Sequence, residues 1–151
     1  MGVGGMWGSD LISQRPELFQ VIASPFDGEE VVVVKAIVPD WAIIHVQEAD
    51  EYGNARILGS EFQDVLMTRA ARKTIITAEK IVSADTFRQE PKLTSIPHFL
   101  VEAVVLAPQG AAPGVCHPYY NVDPSGMKAY AQAVKDGTVA AYIAGSEGRG
   151  A

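Results

Sequence analysis

The chain has 151 residues, of which 48% are hydrophobic and 20% charged, a composition typical of one globular domain rather than a disordered chain. The formal net charge of −6 argues against a nucleic-acid partner, because phosphate contacts need clustered Lys and Arg. The single cysteine, Cys116, excludes an intrachain disulfide framework. Neither a bilayer-spanning apolar run nor a signal-peptide pattern is present in the sequence, so we expect a cytoplasmic protein without a membrane partner.

The first forty residues predict a loop followed by an antiparallel hairpin. Residues 1–8 are glycine-rich, but they lack the flanking strand and helix that would make them a phosphate loop. Residues 25–28 form a turn signal between an apolar pair at 21–22 and an apolar run at 31–38. We expect these two apolar segments to pair as antiparallel strands.

A strand–helix–strand unit is predicted in the middle of the chain. Residues 41–46 are an apolar, β-branched run that is too short for a helix. Ser60, with Gln63 three residues later, has the pattern of a capping box at the start of a helix. Residues 74–82 are a second apolar run. The two strands are therefore expected to be parallel and joined by a right-handed crossover.

One further strand and three helices are predicted downstream. Ser83 is a candidate cap for a brief helix, and residues 99–106 are another apolar run. The pair Asp123-Pro124 has the pattern of an N-cap and a first helical residue, with Gly137 as the C-terminal cap.

The chain is predicted to end in a short helix at 138–144 and a flexible tail at 145–151. These elements define an α/β fold with an open, mostly parallel sheet and flanking helices. The strands are apolar on both sides, which is typical of a sheet covered on both faces. Two substantial helices do not provide that cover. We therefore expect an incomplete domain, one that packs on another protein or continues upstream.

The loop from Val46 to Ser60 is the first candidate for a functional site. It is longer than a strand-to-helix connection requires. It also leaves the carboxyl end of a predicted parallel strand, where open α/β sheets bind ligands. A purely structural surface loop explains the same features, so position alone does not decide between the two.

Several segments carry the pattern of one family. Residues 39–54 combine a strand ending in His with an Ala-Asp-x-x-Gly-Asn loop, and Thr77-Ala78-Glu79 supplies a Thr-x-Glu strand. Residues 96–104 are similar to an Ile-Pro-x-Phe-x-Val-Asp-x-Val segment. In this order they resemble the second half of the A (alpha) subunit of family I coenzyme A transferases, of the glutaconate CoA-transferase type. Further matching segments are residues 6–11, 107–113 and 119–123.

The resemblance implies that residues 1–144 are the C-terminal part of a domain of this A (alpha) type. It implies transfer of CoA between acyl groups of carboxylic acids, with acyl-CoA as substrate and no bound cofactor. In the family a glutamate attacks the thioester to give a mixed anhydride and then a glutamyl-CoA thioester. That glutamate belongs to a partner, the B-type subunit, so an oligomer is expected. The alternatives are a CoA-thioester hydrolase of the same family and an inactive oligomerising module.

Four residues at the end of the first central strand and in the loop after it are predicted to bind substrate: His45, Gln47, Asp50 and Asn54. Each of them also has a structural interpretation. His45 could be a hydrogen-bonded core histidine, and Gln47 could hold the loop in place. Asp50 and Asn54 bracket a tight turn that their side chains can close. The acidic loop would repel the phosphates of CoA, which we expect to lie elsewhere.

No catalytic residue and no metal site are predicted in this chain. The spacing of its His, Cys and carboxylate residues does not match a metal-ligand pattern. Cys116 is expected to be a buried structural thiol rather than a nucleophile. Tyr119 and Tyr120 suit either an intersubunit contact or the chain's own core.

Overall fold

The computed structural model describes Gly2 and residues 5–146 of the chain, with the side chain of Ser146 excepted. The chain divides into two compact units, Met1–Val38 and Pro39–Ala151. Each unit has its own sheet, with two strands in the first and four in the second. Among the described residues, no helix combines the length and the apolar character needed to cross a bilayer.

The first unit contains the predicted hairpin. A short helix, α1 (Leu11–Gln14), precedes strands β1 (Phe19–Ala23) and β2 (Glu30–Val34). The two strands are antiparallel, in a register that runs from the pair Phe19–Val34 to the pair Ala23–Glu30. Strand β2 is shorter than the predicted run at 31–38.

The second unit is an open sheet with the strand order β4-β3-β5-β6. Its strands are β3 (Trp41–Ala49), β4 (Ala55–Arg56), β5 (Lys73–Ile81) and β6 (Ala103–Leu106). Strand β5 is parallel to both β3 and β6, and the short β4 pairs with β3 in the antiparallel direction. The predicted open, mostly parallel sheet is therefore confirmed.

Within the described part of the chain, four α-helices accompany this sheet, and most of the capping signals predicted for them are present. They are α2 (Asp64–Ala70), α3 (Ala84–Gln89), α4 (Pro124–Lys135) and α5 (Val139–Ser146). The side chain of Ser83 caps α3 by accepting from the backbone N–H of Asp85, and Asp123 caps α4 in the same way through Ser125. Gly137 follows α4 with a φ of 69°, the left-handed conformation of a C-terminal cap.

Several predicted boundaries differ from the structure. The capping box at Ser60 and Gln63 is wrong, because α2 begins at Asp64 and its N-cap makes no side-chain hydrogen bond. The predicted strand at 99–106 begins only at Ala103, since a 3-10 turn (His98–Leu100) occupies its first residues. Helix α5 continues to Ser146, past the predicted boundary at 144. The remainder of the predicted tail, 147–151, lies outside the described residues.

One face of the four-stranded sheet packs a core and the other does not. The side chains of β3 alternate in burial, as the two-residue period of a strand requires. On the opposite face Ile43 is 67% exposed and Val105 47% exposed, whereas the side chains of His45 and Glu79, nearer the carboxyl ends of their strands, are 19% and 6% exposed. This open apolar face agrees with the expectation of missing cover. The core cluster comprises Ile44, Val46, Ala49, Ala55, Ile76, Ala78 and Ile96.

Replacing Gly53 by Ala should destabilise the second unit. Gly53 has a φ of +106°, and a Cβ there would lie 3.1 Å from Cβ of Val101. Backbone strain and this contact together should lower the free energy of unfolding by about 1–3 kcal/mol, measurable by urea denaturation. Gly59→Ala is the matched control, because nothing lies within 4 Å of its Cβ position. Equal losses in the two variants would contradict the prediction.

Candidate functional site

The turn after β3 is closed by a buried aspartate. Asp50 is fully buried, and its Oδ1 accepts from the backbone N–H groups of Tyr52, Gly53 and Asn54 at 2.9–3.0 Å. Its Oδ2 accepts from Nδ2 of Asn54 at 2.7 Å. These donors compensate a buried charge that would otherwise be costly. Asn54 in turn accepts from the backbone N–H of His98 at 3.1 Å, which ties the turn to the next segment.

The ring of His45 lies between two side chains of the neighbouring strand. His45 pairs with Thr77 in the parallel register of β3 and β5. Its Nδ1 lies 2.9 Å from Oγ1 of Thr77, and its Nε2 lies 2.7 Å from Oε1 of Glu79. Because an ionised carboxylate can only accept, Nε2 carries the hydrogen of that bond. Both ring nitrogens are therefore engaged.

Glu79 is the centre of this network. Its side chain is 6% exposed; Oε2 accepts from the backbone N–H of Gln109 at 2.7 Å, and Oε1 also accepts from the hydroxyl of Tyr120. Burial acts to raise the pKa of Glu79, but the hydrogen bonds from Tyr120, Gln109 and His45 outweigh it and hold the pKa below its ordinary value. Glu79 is therefore a buried anion at neutral pH, held by one donor from β3 and two from the segment after β6.

The segment after β6, residues 107–123, folds back onto this anion. The hydroxyl of Tyr120 also accepts from the backbone N–H of Ala111 at 3.0 Å. Burial, followed by the bond to Glu79, raises the pKa of Tyr120. Burial, followed by the negative charge of Glu79, raises the pKa of the Cys116 thiol. Cys116 is thus a buried thiol, as expected, and Tyr120 belongs to the chain's own interior, whereas Tyr119 is 42% exposed.

Gly110 is required by its close approach to His45. A Cβ at this position would lie 2.6 Å from Cε1 and 3.0 Å from Nδ1 of the His45 ring. A side chain here would displace the ring from its two partners. The glycine is therefore explained by packing against the network rather than by its backbone conformation.

Gln47 joins three parts of the unit. Its Nε2 donates to the backbone carbonyl of His117 at 2.7 Å, and its Oε1 accepts from the backbone N–H of Leu58 at 3.1 Å. It thereby connects β3 with the loop before α2 and with the segment after β6. These two bonds fit the alternative interpretation of Gln47, that of a loop anchor.

The structure divides the predicted substrate-binding residues into two groups. His45 bonds to β5 and Gln47 to the segment after β6, whereas Asp50 and Asn54 close the turn beyond β3. Substrate binding by His45, Gln47, Asp50 and Asn54 stays a prediction. The sequence identified Glu79 only as part of a matching motif. The contact of Glu79 with His45 follows from the pairing of β3 with β5, because Thr77 and Glu79 lie on the face of β5 that His45 occupies on β3.

Two clefts flank these groups. One, of about 430 Å³, lies beside the Asp50 turn, and the other, of about 410 Å³, lies beside Tyr120 and Gly110. Their positions at the carboxyl ends of parallel strands are those in which open α/β sheets bind ligands. The first is lined by Tyr52, Asn54, Ala84, Phe87, Arg88, Pro91, Thr94 and His98.

Comparison with known proteins assigns this fold to a family. Residues 2–107 match the model of the coenzyme A transferase family. The chain therefore belongs to the coenzyme A transferase family, as its sequence motifs indicated.

Individual relatives place it near one kind of subunit. The chain is 45% identical over 113 residues to the A subunit of glutaconate CoA-transferase from Acidaminococcus fermentans, a match that covers 74% of this chain and 35% of that protein. It is 34% identical over 116 residues to the A subunit of 3-oxoadipate CoA-transferase from Pseudomonas knackmussii, covering 77% and 40% of the two chains.

A solved structure gives the same result. The crystal structure of glutaconate coenzyme A-transferase from Acidaminococcus fermentans superimposes with a TM-score of 0.79 at 38% identity. The match covers 97% of this chain and 50% of the solved chain. The chain thus spans between about a third and a half of the length of these relatives.

Removing the hydroxyl of Tyr120 should loosen the segment after β6. Tyr120→Phe deprives Glu79 of a donor and the backbone N–H of Ala111 of its acceptor. Because hydrogen bonds to charged groups contribute about 1.5–3 kcal/mol, the free energy of unfolding should fall by about that amount. Hydrogen–deuterium exchange should also accelerate at Ala111.

Tyr130→Phe on α4 is the control for this prediction, since Phe preserves the ring contact with Tyr142. It should change the stability by less than about 0.5 kcal/mol. If Tyr120→Phe were equally silent in stability and exchange, the Glu79 network would not hold this segment.

Proposed function

We propose that this chain provides part of the A-type subunit of an enzyme that moves CoA between acyl groups of carboxylic acids. The observation that carries the proposal is its 45% identity to the corresponding subunit of glutaconate CoA-transferase. In this proposal the substrate is an acyl-CoA thioester, and a B-type subunit supplies the missing catalytic group.

The proposed reaction is covalent catalysis on a glutamate of that partner. The glutamate carboxylate attacks the thioester carbonyl, expels CoA thiolate and forms a mixed anhydride. The thiolate then attacks the glutamyl carbonyl and releases the first carboxylic acid as its carboxylate, leaving a glutamyl-CoA thioester. A second carboxylate reverses these steps and departs as the new acyl-CoA. Each barrier is lower than that of direct exchange.

The carboxylates near the Glu79 network are engaged in hydrogen bonds or an ion pair, which supports a nucleophile supplied by the partner subunit. Asp50 and Glu79 are buried, and each uses both oxygens as acceptors. Attack by either would break those hydrogen bonds. Glu48 lies 3.6 Å from the buried guanidinium of Arg56, which stabilises its charge and reduces its nucleophilicity.

In the proposed complex, His45 and Gln47 define an edge that faces the acyl portion of the substrate. His45 is 19% exposed, so its ring is within reach of a ligand. The carboxylates Glu48, Asp50 and Glu51 would repel the phosphates of CoA. We therefore propose that the thioester end of CoA approaches this edge and that its phosphates are bound by other parts of the assembly.

Co-expression with the remaining portion of an A-type subunit, together with a B-type subunit, tests the proposal. A stable complex should form and exchange CoA between an acyl-CoA and a free carboxylate, followed by chromatography of both thioesters. Incubation with acyl-CoA alone should add CoA to a glutamate of the B-type subunit, detectable by peptide mass spectrometry.

The same preparation lacking this chain is the control, and it should show neither exchange nor adduct. A CoA adduct on this chain would contradict the assignment of the nucleophile to the partner. Release of free CoA without formation of a new thioester would contradict transfer and favour hydrolysis.

A further inference from the structure

Three potential metal ligands from distant parts of the sequence meet beside β3 and β5. They are His45 on β3, Glu79 on β5 and Cys116 in the segment after β6. Each offers one ligand atom, and all three atoms lie within 4.8 Å of one another. We propose that these residues form a binding site for one zinc ion, with the fourth coordination position left to a water molecule.

The donor set fits zinc in kind and in number. Zinc is bound by thiolate, imidazole and carboxylate ligands, and sites that keep an open position use three protein ligands. Imidazole combined with thiolate favours zinc over the hard cations Mg²⁺ and Ca²⁺, which prefer oxygen ligands. A site of this composition would select zinc from a solution that also contains magnesium.

The distances require only small movements. Zinc bonds of roughly 2.0–2.3 Å in a tetrahedron separate the donor atoms by about 3.3–3.8 Å. The Nε2 of His45 and the Oε1 of Glu79, now 2.7 Å apart, would separate by about 0.5 Å or slightly more. One ligand atom of each of the three residues lies within 4.8 Å of the others, so the sulfur of Cys116 would approach by at most about 1–1.5 Å. Side-chain rotation provides movements of this size.

The surroundings already orient two of the three ligands. Oγ1 of Thr77 lies 2.9 Å from Nδ1 of His45, and the backbone N–H of Gln109 donates to Oε2 of Glu79. Metal-binding histidines and carboxylates almost always have such partners on the atom that does not touch the metal. Here Nε2 of His45 is directed at Oε1 of Glu79, which also accepts from the hydroxyl of Tyr120. A cation would take the lone pair of Oε1 that Nε2 now uses, and the bond from Tyr120 would remain.

Binding follows a definite proton balance. On zinc binding, the hydrogen of His45 moves from Nε2 to Nδ1, where it is donated to Thr77. Cys116 loses its thiol proton to solvent when sulfur becomes a ligand, because zinc is bound by the thiolate. With a neutral water as the fourth ligand, each zinc ion should therefore release one proton, the one from Cys116.

A bound ion would fasten the segment after β6 to the sheet. Cys116 and Tyr120 lie on that segment, and Tyr120 already bonds to Glu79. The side chain of His45 is 19% exposed, so solvent reaches part of the site.

Titration of the metal-free protein with Zn²⁺ alone tests the site. Calorimetry in buffers of different ionisation enthalpy should give one zinc per chain and one proton released. Co²⁺ in place of zinc should produce the near-ultraviolet thiolate charge-transfer band and the intense visible bands of a tetrahedral site. Zinc should also protect the single thiol from alkylation.

Variants assign the ligands. Cys116→Ser should abolish the charge-transfer band, and both it and His45→Gln should weaken zinc binding by at least about 100-fold. Thr77→Val, which alters only a positioning residue, should weaken binding by about 10–100-fold with the band retained. His98→Gln is the control, since His98 is an exposed histidine outside the cluster, and it should bind like the parent.

Circular dichroism of each metal-free variant separates a lost site from a lost fold. A Co²⁺ spectrum without the thiolate band, or a folded Cys116→Ser variant that binds zinc like the parent, would overturn the proposal. Binding weakened equally by His98→Gln would do the same, because it would place the metal on the surface.

Discussion

The ionised carboxylate of Glu79 is the interaction on which the organisation of the second unit depends. A charge with 6% side-chain exposure is tolerated only when donors replace the water that it has lost. His45 supplies one of those donors from β3, and Gln109 and Tyr120 supply the other two from the segment after β6. The need to satisfy one anion thereby fixes where the irregular segment after β6 lies. Apolar packing contributes little to placing this segment, because it is rich in proline and glycine and offers few large apolar side chains.

The sequence predicted the regular elements well because local rules determine them. The apolar, β-branched runs of β3 and β5 are typical of buried strands. Asp123 and Pro124 start α4 as an N-cap and a first helical residue. The capping box at Ser60 failed because the backbone at Phe62 adopts a φ of 43°, which no sequence rule indicated. A helix start depends on backbone conformation as well as on residue type.

The candidate site was only partly predictable. His45 was identified from its place at the end of an apolar strand, and Asp50 and Asn54 from the turn that they close. The partners of His45 lie 32 and 34 residues away along the chain, and Tyr120 lies 41 residues beyond Glu79. Only the pairing of β3 with β5, and the return of the segment after β6, bring them together. Sequence spacing carries no signal for such long-range contacts.

The long separations within the network have a consequence for folding kinetics. The bonds from Gln109 and Tyr120 to Glu79 span 30 and 41 residues and close further loops beyond the one that the β3–β5 pair closes. Each closure costs chain entropy before its contacts repay it, so these bonds should form after β3 and β5 have paired. Contacts that are absent from the transition state act on the unfolding rate and leave the folding rate unchanged. The network would then slow the unfolding of this unit and lengthen its folded lifetime, without making it fold faster.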